Sequence, residues 1–310
     1  MSTIITPEQV EALLTTTRML MNHVYYVQQP FNLIPAKDHY GACINYSDLM
    51  ESRMEFCEEL LNTINEWVYS EQRAQEIINS FLSEDRSQRN AWNKFTQYAM
   101  KKFRPRDGRD ITLQGQFGEL LLFNFIQHFF RAVPLLRKMP IALTPAMERL
   151  GADAIHYKQQ AEKHLFFLGE AKTYTAEYRF AAAFEDALQS ILKTYYKHRT
   201  ELGSYLYDDF IDPALQEVAR GYINNTIAEK EVHLVSIIVY HETKQITKNS
   251  EAEIKQQIMQ VIEERGQRLE RELFNKIPEG MHPRFHYIIL PVWDLDDLLK
   301  THFEPKIGRQ

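Results

Sequence analysis

Cysteine is nearly missing: 310 residues hold two, Cys43 and Cys57, with no Cys-x-x-Cys pair. That excludes a disulfide framework and a cysteine-based zinc or redox centre, and it fits a reduced, cytoplasmic setting. Long apolar runs are missing too. No stretch approaches the ~18 residues that a membrane span needs, and the opening "MSTIITPEQVEALLTTTRML" has no basic leader segment, so we expect a chain that is neither exported nor embedded. Nor is there a basic surplus: 36 Lys and Arg against 42 Asp and Glu leave a net charge of −6. Phosphate contacts supply most non-specific affinity for nucleic acid. Any such contact must therefore be local or shared with a partner. Repeats, low-complexity tracts, helix-turn-helix and zinc-finger signatures are also lacking. What remains is an ordinary globular composition, 44% hydrophobic and 25% charged.

The first hundred residues read as helical. Thr6-Pro7-Glu8-Gln9 offers an N-cap, a first-turn proline and a capping-box glutamine. Apolar residues then recur at helical spacing over 47 to 68, around Ile77, Ile78 and Phe81, and over 91 to 100. The stretch "KKFRPRDGRD", with Pro105 and Gly108, is the expected boundary between a helical N-terminal region, 1–105, and a core, 106–310. Beyond it, 113 to 131 reads as an apolar helix, "KMPIALT" as a short strand, and 152 to 157 and 164 to 171 as two strands joined by "KQQAEK". A helix over 176 to 199, the β-branched strand "VHLVSIIVY", a charged helix over 249 to 274 and the strand "FHYIILPV" complete the set. This order implies α/β architecture: a mixed β-sheet flanked by helices.

The two adjacent strands carry the chemistry. Glu170 and Lys172 lie two apart, so in a strand they share a face. If the strands pair antiparallel, Asp153 near the start of one lies beside Glu170 near the end of the other. Two carboxylates with a backbone carbonyl, that of Ala171, are a hard oxygen set suited to Mg²⁺ or Mn²⁺ with waters left for substrate. Lys172 on the same face can orient such a water, or favour its deprotonated form, for in-line attack on a phosphodiester. The plain alternative is a salt-bridged strand end. Glu-x-Lys alone is a weak signal, since Glu242-Thr243-Lys244 and Glu253-Ile254-Lys255 repeat it. Only Glu170 has an aspartate across a short turn and an apolar approach, "HLFFLG".

The set Asp153, Glu170, Lys172 resembles the signature of the PD-(D/E)xK nuclease superfamily, with Ala152 where the motif's proline stands. More narrowly, "FGELLLFNF", "KMPIALT", "GADAIHY" and "LGEAKTY", in this order, resemble the HamA family, the nuclease subunits of the Hachiman anti-phage system. The resemblance implies a restriction-endonuclease-like core and Mg²⁺-dependent cleavage of DNA. It also implies a partner, the superfamily-2 helicase HamB, with the nuclease held quiet until aberrant DNA is engaged. Within it, Asp153 and Glu170 are expected to ligate metal, Lys172 to activate water, and Glu119 to assist from the first core helix; a surface carboxylate is the plainer role for Glu119. His156 is out of phase with Asp153 and reads as a packed or hydrogen-bonded core histidine. Tyr174 and Gln189 are candidates for touching the substrate strand. The Gln-x-x-x-Tyr of RecB-like relatives is not met, because Lys193 follows Gln189 at the fourth place. Two other functions fit the same residues: a non-catalytic DNA- or helicase-binding subunit, and a stand-alone restriction-type endonuclease. Strand preference, sequence specificity and oligomeric state stay open.

Overall fold

The computed structural model describes residues 5–103, 111–137, 152–176, 180–206 and 211–307. Thr6 caps the first helix, α1 (Pro7–Ala12), as its sequence predicts: its hydroxyl accepts from the Gln9 N–H and the Gln9 side chain accepts from the Thr6 N–H. A short helix α2 (Arg18–Asn22) then leads into two strands, β1 (Val24–Gln29) and β2 (His39–Ile44), that a wholly helical reading of residues 1–105 does not contain. That reading is corrected here. The Val24-Tyr25-Tyr26-Val27 run is β-branched and aromatic, and β2 is buried at every position because its parallel partner lies some 250 residues downstream.

A small ribbon, β3 (Tyr46–Ser47) with β4 (Met50–Glu51), precedes four helices at the expected places: α3 (Arg53–Asn62), α4 (Ile64–Val68), α5 (Glu71–Ser83) and α6 (Gln88–Met100). The helix α7 (Ile111–Phe130) is apolar nearly all round, as a helix covered on most sides must be. Then come β5 (Val133–Leu136), β6 (Ala154–Gln160), β7 (Lys163–Tyr174), α8 (Phe180–Ser204), α9 (Gln216–Ile223), β8 (Lys230–His241), α10 (Glu251–Gln267) and β9 (Phe285–Val292). The expected strand "KMPIALT" and residues 104–110 of the expected boundary lie outside the described residues. The charged helix is shorter than expected: α10 ends at Gln267, and the following turn is a 3₁₀ segment, Arg271–Lys276.

Seven strands form one mixed sheet in the order β1-β2-β9-β8-β7-β6-β5, parallel across β2, β9, β8 and β7 and antiparallel at both edges. Helices cover both faces. On one, α7 and α3 to α6 enclose Phe56, Trp67, Phe95, Leu121, Phe125 and their neighbours. On the other, α8, α9 and α10 bury Phe184, Ile191, Val218, Ile258 and Ile262. Two glycines set the approach of α7. A Cβ on Gly169 of β7 would come within 2.8 Å of Leu122 and 2.9 Å of Ile126, and one on Gly118 of α7 would strike Thr173. The helix therefore lies directly on β7. Both cysteines are buried free thiols, Cys57 pushed up to about 12 by burial. Among the described residues no helix is long and apolar enough to cross a membrane.

Candidate active site

β6 and β7 form a hairpin whose register runs from Gln160↔Lys163 at the turn to Ala154↔Gly169 at the open end. β7 continues five residues further, still paired with β8, so only the backbone groups on its β6 side lose their ladder partners there. Asp153 takes one of them. Its own N–H donates to the Gly169 carbonyl at 3.0 Å, and its Oδ2 accepts from the Ala171 N–H at 2.8 Å. An aspartate fits this place because its short side chain folds back to mimic the missing carbonyl.

Alternation on β7 separates two faces. Gly169, Ala171 and Thr173 face α7; Glu170 and Lys172 face α8. Glu170 is only 4% exposed, yet it has three donors: Lys172 Nζ to Oε1 at 2.9 Å, Ser190 Oγ to Oε1 at 2.5 Å and Thr194 Oγ1 to Oε2 at 3.4 Å. Burying a carboxylate this deeply is costly unless it is hydrogen-bonded and paired, as it is here. Burial acts to lower the Lys172 ammonium, but the charge of Glu170 and its hydrogen bond, then Asp153 and Asp186, outweigh it and hold Lys172 above the ordinary lysine value. Lys172 is therefore a fixed cation at neutral pH, in reach of both carboxylates.

The structure thus brings Asp153, Glu170 and Lys172 together. Glu119 lies on a different element from these three. It is half-buried on α7, one residue beyond Gly118, and α7 packs on the face of β7 opposite to the one that holds Glu170. His156 is 1% exposed on the α7 side, its ring 5.7 Å from that of Phe123, and neither ring nitrogen has a partner; burial pushes it down to about 3. It is packed, not hydrogen-bonded. Tyr174 donates to Asp186, and the exposed Gln189 donates to Glu185 at 3.0 Å, so both are engaged within the α8 surface. The residues that sequence reasoning passed over are Ser190, Thr194 and Glu201, whose Oε2 accepts from the Ala152 N–H at 2.9 Å. Their signal was available: Ser190 and Thr194 are hydroxyls four apart, bordering an otherwise apolar stripe.

The Glu-x-Lys pairs at 242–244 and 253–255 have different surroundings. Glu242 accepts from Arg265 Nε at 3.0 Å and Nη2 at 2.5 Å and from the N–H groups of Thr243 and Lys244, while Lys244 pairs with Glu264. Glu253 belongs to the first turn of α10, capped by Ser250.

Among the described residues, no group of three or more His, Cys, Asp or Glu is gathered to cage a metal ion. Mg²⁺ does not require one: it binds through one or two carboxylates and retains waters. The oxygens of Asp153 and Glu170, flanking Ala171, are a donor set of that kind, and they are hard donors.

No curated protein matches the chain. The family model HamA matches residues 22–304, from the end of α2 to beyond β9, and so spans the whole sheet together with Asp153, Glu170 and Lys172. By that match the chain belongs to the HamA family, the family of a Hachiman defence component.

Proposed function

We propose that this protein is a metal-dependent deoxyribonuclease, the effector subunit of a Hachiman complex with the helicase HamB. One observation carries the reading. Asp153 and Glu170 meet at the open end of a hairpin, with Asp153 bonded to the Ala171 N–H and Glu170 to Lys172 of the same Glu-x-Lys tripeptide. Asp153, Glu170 and the Ala171 carbonyl would hold Mg²⁺ or Mn²⁺, which when bound neutralises charge on a phosphodiester and acidifies a water. The rest falls to the chain. Ser190 and Thr194 hold the Glu170 carboxylate in one rotamer, so it is presented without reorganisation. Lys172, a cation held beside both carboxylates, orients the attacking water and stabilises its deprotonated form. Glu119 would assist from α7, by auxiliary ligation or orientation.

Asp153→Ala and Glu170→Ala should each abolish DNA cleavage by the complex while thermal melting still shows a folded protein. Cleavage should stop with chelator and return with excess Mg²⁺ or Mn²⁺. Activity that survives chelation, or survives both substitutions, overturns the mechanism. A chain that joins the helicase and binds DNA but never cleaves would be a non-catalytic subunit instead.

A further inference from the structure

The edge of α8 that borders the candidate site carries more than the hydroxyls already described. At about 100° per residue, Asp186, Ser190, Lys193, Lys197 and Glu201 fall on one edge of the helix, with Lys193 and Lys197 within about 20° of Asp186. Three of these five are anchored against the hairpin. Asp186 receives the Tyr174 hydroxyl, Ser190 bonds to Glu170, and Glu201 receives the Ala152 N–H next to Asp153. The anchors fix the line of that edge. It runs from the end of β7, past Glu170, to the residue before Asp153, and Lys193 and Lys197 lie between the second anchor and the third. Both lysines are exposed, and neither makes an ion pair among the described residues.

We infer that Lys193 and Lys197 form a rail for the phosphate backbone of a nucleic-acid strand, leading it across Asp153 and Glu170. The inference rests on the nuclease reading. Both lysines stand along the lip of the carboxylate site, and without an ion pair among the described residues their charge faces solvent, where an anionic strand can meet it. The two lysines are one helical turn apart, about 6 Å along the axis, the scale on which phosphates succeed one another on an extended strand. They also resolve a difficulty in the composition. A chain of net charge −6 cannot hold DNA by its overall field, but two cations concentrated at the site supply local attraction where it is used. The helix carries two pairs four apart, Ser190 with Thr194 facing Glu170 and Lys193 with Lys197 exposed.

The test measures binding of a fluorescent single-stranded oligonucleotide to the full chain by anisotropy, over a series of salt concentrations without divalent metal, and cleavage of the same strand by the helicase complex with Mg²⁺. For Lys193→Ala/Lys197→Ala we expect binding weaker by about tenfold and a slope of log K against log salt shallower by about 1.4, two phosphate contacts at about 0.7 each. Lys193→Arg/Lys197→Arg should restore both. Glu170→Ala should bind at least as well as the parent while failing to cleave. An unchanged slope in the double alanine variant, or no salt-dependent binding by the parent chain, overturns the rail. A normal loss of binding in a protein whose parent complex never cleaves would leave the rail standing and the nuclease reading overturned.

Discussion

Glu170 is a buried carboxylate held on both oxygens. Its three donors come from two elements, and the two on α8 are neutral hydroxyls that can be removed without leaving a buried charge behind. Partners that orient a metal-binding carboxylate typically contribute about 10–100-fold to metal affinity or activity. Ser190→Ala should therefore raise the Mg²⁺ concentration needed for half-maximal cleavage by about tenfold, with little change in melting temperature. A Mg²⁺ titration identical to the parent's would show that the hydroxyl does not position Glu170. Lys172 offers a second test at this scale. Burial alone pulls its ammonium down, and Glu170 is the main group that lifts it. In Glu170→Gln the balance should reverse, and the Lys172 titration followed by NMR should move below that of the parent.

At the scale of elements, the repeated tripeptide at the end of β8 is a control with a sharp internal contrast. Glu242 and Arg265 are both nearly inaccessible and bonded through two nitrogens, which joins β8 to α10. Removing one partner of a buried pair typically costs about 3–5 kcal/mol. Glu242→Ala should thus lower the denaturant midpoint strongly. Lys244→Ala, which removes only an exposed pair with Glu264, should leave both stability and DNA degradation near the parent. If Lys244→Ala ended degradation in a stable protein, the site would belong at β8 instead of β7. The hairpin itself was legible from its residues: the polar turn, the alternation on either side and the placing of Asp153 against Glu170 all follow from local spacing. β2 is different: a buried strand with a distant parallel partner carries no local mark that separates it from a helix end, and β1, whose β-branched and aromatic run is such a mark, depends on β2 for its place in the sheet.

Over the whole molecule, buried histidines set the response to acid. His39 and His233 are pushed down to about 4 and His156 to about 3, all by burial first, and His286 lies well below its ordinary value. Each binds its proton more weakly folded than unfolded, so stability is level above the ordinary histidine value and falls as pH drops from there towards about 4. Melting temperature should decline over that window. His156→Phe should flatten the decline, because it removes a ring whose nitrogens have no partner beside Phe123; an unchanged acid limb would assign the decline to other groups. The partnered reading is also tested at this scale. Trp92 and Tyr98 on α6 and Leu82 on α5 are exposed apolar side chains, the kind of surface that a partner covers. Co-expression with a HamB-type helicase should yield a complex that Trp92→Glu/Tyr98→Glu weakens. Lys172→Ala should leave assembly and ATP hydrolysis intact while ending degradation. Separate elution of the parent proteins would refute the partnership.

Local spacing sufficed for the α/β class, the β6–β7 hairpin and the meeting of Asp153, Glu170 and Lys172, since these depend on alternation and on a turn of a few residues. It did not reach which helix lies over Glu170, that Glu119 belongs to the helix packed on the other face of β7, or that two strands from the N-terminal region extend the sheet. Each of these is a pairing between segments far apart in the chain, where the preference lies in packing against a distant face and not in any local pattern.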